Sequence, residues 1–125
     1  MEKKILVVDD EAEITEEISE ALTDEGYEVT CALSYDQALE ALRADAELKI
    51  VITDLMMPGK TGLELMKSAP LEVGRPLTFI VLSGTPGAPG SDDLSMAYIF
   101  RYLTKPVNLD VLIEAVEEAC QHPLG

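Results

Sequence analysis

The sequence predicts an α/β protein built as a doubly wound, five-stranded parallel sheet in the strand order 2-1-3-4-5, with helices on both faces. Two observations carry this. Apolar, largely β-branched runs recur at residues 5–8, 50–53, 77–82 and 99–104, and they stay apolar instead of alternating, as strands buried on both faces do. Between them lie segments with apolar residues at helical spacing, which supply the crossovers that parallel strands require. Right-handed crossovers leave few topologies, and 2-1-3-4-5 is one of the two common doubly wound orders. At 125 residues the chain reads as one domain, residues 1–125, whose core needs neither disulfides nor a structural metal.

The elements follow in order. The first strand, residues 5–8, is stopped by Asp9, Asp10 and Glu11. Asp10 is placed to cap the next helix with Glu13 as reciprocal partner, and Ile14, Ile18, Ala21 and Leu22 form its apolar face. Gly26 suits the helix stop, and residues 28–32 are polar enough for an edge strand. Ser34 with Gln37 is a second capping box, opening a helix whose face is Tyr35, Ala38, Leu39 and Leu42. Ile50, Val51, Ile52 and Thr53 are all β-branched and end in Asp54, after which Pro58, Gly59 and Gly62 fix a loop. The third helix, residues 63–68, is expected to end before Pro70. Residues 77–82 form the fourth strand, ending at Ser83. Residues 84–90, Gly-Thr-Pro-Gly-Ala-Pro-Gly, exclude regular structure, so a short fourth helix starts only near Ser91. Residues 99–104 form the fifth strand, followed by Lys105 and Pro106. Asn108 caps the last helix, in which Leu109, Leu112, Ile113, Val116 and Cys120 share a face.

Composition excludes several classes of function. Twenty-four acidic residues against nine Lys and Arg give a formal charge of −15, so no basic surface exists for nucleic-acid phosphates or anionic lipid. No apolar run reaches membrane-spanning length and no signal-peptide core follows Met1, so a soluble, cytoplasmic protein is expected. Cys31 and Cys120 fit no metal-ligand spacing and read as reduced, buried thiols. Lone His122 beside Pro123 reads as exposed and without a role.

The chemistry lies at the strand ends. In a doubly wound sheet the carboxyl ends of the strands share one crevice, which gathers Asp9, Asp10, Asp54, Ser83 and Lys105. Three carboxylates at close range repel by about 4 kcal/mol per pair at an effective dielectric of about 20, so they call for a cation. An all-oxygen donor set without histidine favours Mg²⁺. A carboxylate beside Mg²⁺, with an ammonium and a hydroxyl opposite, forms a receptor for a phosphoryl group, with Asp54 as nucleophile.

Four motifs carry a resemblance: Val-Val-Asp-Asp-Glu, Thr-Asp-Leu-Met-Met-Pro-Gly, Leu-Ser-Gly and Tyr-Leu-Thr-Lys-Pro, in this order and across essentially the whole chain. In them the sequence resembles the response-regulator receiver domains of two-component signalling, whose fold is a flavodoxin-like three-layer sandwich. The resemblance implies that Asp54 accepts a phosphoryl group from the phosphohistidine of a histidine kinase or phosphotransfer protein. It further implies that Asp10, Asp54 and the carbonyl of Met56 ligate Mg²⁺, with Asp9 acting through metal-bound water. Lys105 would pair with the phosphoryl group, Ser83 would move to bond it, and Tyr102 would follow Ser83 inward. The Lys105–Pro106 bond would be cis. The surface around the fourth helix and fifth strand would then act on an output protein or domain. The domain would be a monomer or a weak phosphorylation-dependent dimer with no direct contact to nucleic acid or membrane. It would assist its own phosphorylation and slow dephosphorylation without being a turnover enzyme. The chain departs from the family in its Pro/Gly-rich residues 84–90, in Tyr98 and Ile99 where Gly-Ala is frequent, and in Lys60 and Thr61.

Other classes of function fit the residues less well. An aspartyl phosphohydrolase needs a second Asp two residues after the nucleophile, where Met56 stands. A flavin phosphate would be repelled by Asp9, Asp10 and Asp54. Gly59-Lys60-Thr61 resembles the end of a P-loop, but the first glycine of that motif falls at Asp54. A degenerate receiver that binds partners without phosphorylation is the remaining alternative, and the complete set of five site residues weighs against it.

Overall fold

The computed structural model of the chain describes residues 4–54, 62–83, 99–105 and 107–121, with residues 62, 63, 83, 99 and 100 described by their backbone alone. The four apolar runs and the more polar edge segment form five strands: β1 (Lys4–Val8), β2 (Glu28–Ala32), β3 (Ile50–Asp54), β4 (Thr78–Ser83) and β5 (Ile99–Thr104). All pair in parallel, in the order β2-β1-β3-β4-β5, as the sequence predicts. The helices are α1 (Ala12–Asp24), α2 (Tyr35–Ala44), α3 (Gly62–Val73) and α4 (Leu109–Gln121). The short helix expected near Ser91, the loop at residues 84–90, Met56, the Lys105–Pro106 bond and His122 fall outside the described residues.

The period-2 geometry of a strand sends each apolar run into two cores. Leu6, Val8, Val51, Phe79 and Val81 face α2 and α3, meeting Ala38, Leu42, Leu65, Met66 and Ala69. Ile5, Val7, Ile52, Ile80 and Leu82 face α1 and α4, meeting Ile18, Leu22, Leu112, Val116 and Ala119. Three layers result, with β3 at the centre and every one of its residues buried. Burial on both faces explains why these runs do not alternate in sequence. Among the described residues no helix is long and apolar enough to cross a membrane.

Local signals worked where side chains could cap. Ser34 Oγ accepts from the Gln37 N–H at 3.2 Å, and Gln37 Oε1 accepts from the Leu33 N–H at 2.8 Å. Asn108 Oδ1 accepts from the N–H groups of Asp110 at 3.0 Å and Val111 at 3.2 Å. Three expectations need correction. Asp10 is not the cap of α1: the N-cap is Glu11, without a side-chain cap bond, and Asp10 lies one residue earlier, in the carboxylate cluster. Helix α3 does not end before Pro70 but runs through it to Val73. Proline removes a backbone bond and crowds the preceding turn, at a cost of about 3 kcal/mol, but Leu65, Met66 and Ala69 hold the segment in the core. The helix stops one turn later, where Gly74 takes φ +68° and its N–H bonds the Pro70 carbonyl at 2.9 Å. Cys31 is exposed, because β2 is an edge strand with only β1 beside it, and Cys120 is half-buried on α4.

Arg75 closes the α2 end of the sandwich. Its guanidinium donates to the carbonyl of Leu42 in the last turn of α2 at 2.8 Å, which the helix end leaves without a helical partner, and to those of Asp45 and Leu48 in the segment that follows, both at 2.9 Å. Arg75→Ala is expected to destabilise the fold by about 1–3 kcal/mol, read as a lower urea midpoint with unchanged slope. An unchanged midpoint would show that water replaces these bonds without loss.

Candidate functional site

The sheet register builds the site. Val8 pairs with Thr53, so the next residues on the two strands, Asp9 and Asp54, stand side by side at the carboxyl edge. Asp54 pairs with Leu82, and Ser83 pairs with Thr104, which brings Lys105 to the same edge. Asp9 is fully buried and Asp54 is 5% exposed, whereas Asp10 is exposed beside them. One carboxylate oxygen from each of the three lies within 4.8 Å of the others, a group able to hold a metal ion.

Lys105 reaches into this cluster from the end of β5. Its Nζ donates to Asp9 Oδ2 at 3.0 Å and to Asp54 Oδ2 at 3.1 Å. Burial pulls the ammonium's pKa down, but the bonds to Asp9 and Asp54 and the charge of both carboxylates outweigh it, so the pKa is raised above the ordinary lysine value. At an effective dielectric of about 20, each contact at this range carries a gross attraction of about 5 kcal/mol, offset by the desolvation of three charges. The ammonium thus supplies positive charge where neighbouring carboxylates demand it. Asp9 is fixed further: its Oδ1 accepts the Glu11 N–H at 2.9 Å and its own N–H bonds the Ala32 carbonyl at 3.1 Å. Thr53 is buried and its Oγ1 donates to the Asp54 carbonyl at 3.0 Å, which ties down the strand end that presents the carboxylate. A groove of about 460 Å³, lined by Ile14, Glu17, Leu82, Lys105 and Val107, opens beside Lys105.

Four of the residues singled out from the sequence, Asp9, Asp10, Asp54 and Lys105, therefore meet at one point. Ser83 ends β4 one strand away, with its hydroxyl outside the described part. Tyr102 lies on β5 opposite Val81, half-buried against the α2/α3 core. Sequence reasoning missed Glu11, whose Oε1 lies 3.9 Å from Lys105 Nζ. Its place directly after the Asp9-Asp10 pair was the available signal.

Comparison with known proteins decides the family. Residues 5–117 match the family model of the response regulator receiver domain. The chain belongs to this family. It is 34% identical over 113 residues to the response regulator RR06 of Streptococcus pneumoniae, covering 90% of this chain and 51% of the relative. It is 31% identical over 117 residues to the transcriptional regulatory protein FixJ of Rhizobium meliloti, covering 93% and 56%. Among solved structures it is similar to a CheY-like receiver domain protein from Methanospirillum hungatei, with 29% identity, a TM-score of 0.83 and coverage of 97% and 95%. The chain spans about half the length of RR06 and FixJ. Receiver domains generally bind Mg²⁺ at an acidic pocket, and among the described residues Asp9, Asp10 and Asp54 form an acidic cluster at the carboxyl edge of the sheet.

Proposed function

We propose that this receiver domain is a phosphorylation-activated switch in which Asp54 takes a phosphoryl group from the phosphohistidine of a kinase or phosphotransfer protein. The observation that carries this is the bridging of Lys105 to Asp9 and Asp54 at the end of the central strands. In the reaction an Asp54 oxygen attacks phosphorus, the P–N bond to the donor imidazole breaks, and the imidazole leaves with its electron pair and takes up a proton. Asp10 and Asp54 would hold Mg²⁺, together with the Met56 carbonyl that the family resemblance implies, with Asp9 acting through an intervening water, and the ion would supply positive charge to offset that of the phosphoryl oxygens. Lys105 gives up its bond to Asp54 and offers its ammonium to a phosphoryl oxygen, while Ser83 donates a hydrogen bond to another. Tyr102 then turns into the space that Ser83 vacates, which alters the face around β5. The domain carries out its own phosphorylation and slow hydrolysis but is no turnover enzyme, and it works in the cytoplasm on an output protein or domain. GlrR of Escherichia coli and FixJ are both described as transcriptional regulatory proteins, which supports an output in gene control.

Lys105→Ala tests the assignment. Removing the ammonium is expected to slow labelling by acetyl phosphate about tenfold or more while Mg²⁺ still binds, because the lysine recognises the phosphoryl group and not the metal. Wild-type labelling kinetics in the variant would refute the role given to Lys105.

A further inference from the structure

Three carboxylates surround Lys105. Nζ lies 3.0 Å from Asp9 Oδ2, 3.1 Å from Asp54 Oδ2 and 3.9 Å from Glu11 Oε1. Asp9 and Asp54 belong to the group of oxygens able to hold a metal ion, and Glu11 does not. The backbone of Glu11 is fully used: its N–H bonds Asp9 Oδ1, and its carbonyl accepts from Ile14 at 3.0 Å and Thr15 at 3.3 Å. Its side chain takes no part in capping α1.

A divalent cation and the Lys105 ammonium therefore draw on the same cluster of carboxylates. Two cations held about 4 Å apart repel by about 4 kcal/mol per unit of charge product at an effective dielectric of about 20, so Lys105 has to withdraw when the metal arrives. The direction of withdrawal is set by the carboxylate left over. Glu11 stands at the solvent rim with its side chain 63% exposed, and a flexible lysine stem reaches it by turning its last bonds. We infer that Glu11 is a positioning residue: it receives the Lys105 ammonium when a divalent cation is held at Asp10 and Asp54 beside Asp9, and thereby raises the affinity of the site for that cation. Glu11 also keeps the ammonium at the rim of the pocket, where an incoming phosphoryl group meets it. The inference rests on the reading of this cluster as a Mg²⁺ site.

Calorimetric titration of the whole chain with MgCl₂ tests it, using wild type, Glu11→Gln, Lys105→Met and the double variant. Glu11→Gln preserves shape and every backbone bond, and is expected to weaken Mg²⁺ binding about fivefold. Lys105→Met removes the competitor and is expected to tighten binding about tenfold. In the Lys105→Met background Glu11→Gln should change the affinity less than about twofold, since there is no ammonium to receive. An equal weakening in both backgrounds would mean that Glu11 acts by direct ligation or through-space attraction, and it would overturn the inference, as would an unchanged affinity for Glu11→Gln alone. If Lys105→Met does not fold without metal, Lys105→Gln closes the same cycle. Mg²⁺ binding to wild type without this coupling overturns the inference alone; no binding to wild type overturns the metal assignment as well.

Discussion

Asp54→Asn is expected to accept no phosphoryl group from acetyl phosphate or a phosphohistidine donor, with labelling reduced to background. The substitution is nearly isosteric. It keeps the side chain at the end of β3 and leaves an oxygen for Lys105, so the fold persists. What it removes is the anionic nucleophile: an amide oxygen cannot form a stable acyl phosphate. Circular dichroism should be unchanged while hydroxylamine-labile phosphate disappears. Undiminished labile phosphate on the variant would move the acceptor to another residue.

The second large effect is on the metal. Asp10→Ala is expected to weaken Mg²⁺ binding by about 100-fold or more, because it removes one of three carboxylates and the loss of one charge contact is worth about 2–4 kcal/mol. Of the three acids, Asp10 is the one that faces solvent, while Asp9 is buried and already bonded through both oxygens, to Glu11 and Lys105. The buried pair therefore keeps its counter-ion in the variant. Relief of repulsion should raise metal-free stability only slightly, by under about 1 kcal/mol, because the lost charge is exposed. Titration calorimetry and urea unfolding read the two quantities separately. Unchanged Mg²⁺ affinity would remove Asp10 from the ligand set.

Strand ends were the legible part of this chain. Asp9, Asp54 and Lys105 each follow an apolar run, and once the strands lie parallel in the order β2-β1-β3-β4-β5 the register alone brings them to one edge. Capping by Ser34 and Asn108 was legible for the same reason, since both act within a few residues. Features set by packing across the fold were not. Pro70 reads as a helix end, yet the core contacts of Leu65, Met66 and Ala69 carry α3 past it. Cys31 reads as a buried thiol, but the exposure of β2 decides its environment. Asp10 satisfies a capping pattern and instead joins a carboxylate cluster made by a strand far away in sequence. The carbonyls that Arg75 gathers lie roughly thirty positions away and no local pattern encodes them, while the approach of Glu11 to Lys105, roughly ninety positions away, is signalled locally only by the place of Glu11 after the Asp9-Asp10 pair.

A single carboxylate, Asp54, is expected to be the phosphoacceptor. Its most direct test is to incubate the protein with Mg²⁺ and a phosphohistidine donor, trap the acyl phosphate by borohydride reduction and locate the reduced residue by peptide mass spectrometry. A single modified residue, Asp54, is expected, and the modification should disappear when Mg²⁺ is chelated. Reduction at Asp9 or Asp10, or a protein that stays unmodified while its donor remains competent toward another receiver, would contradict it.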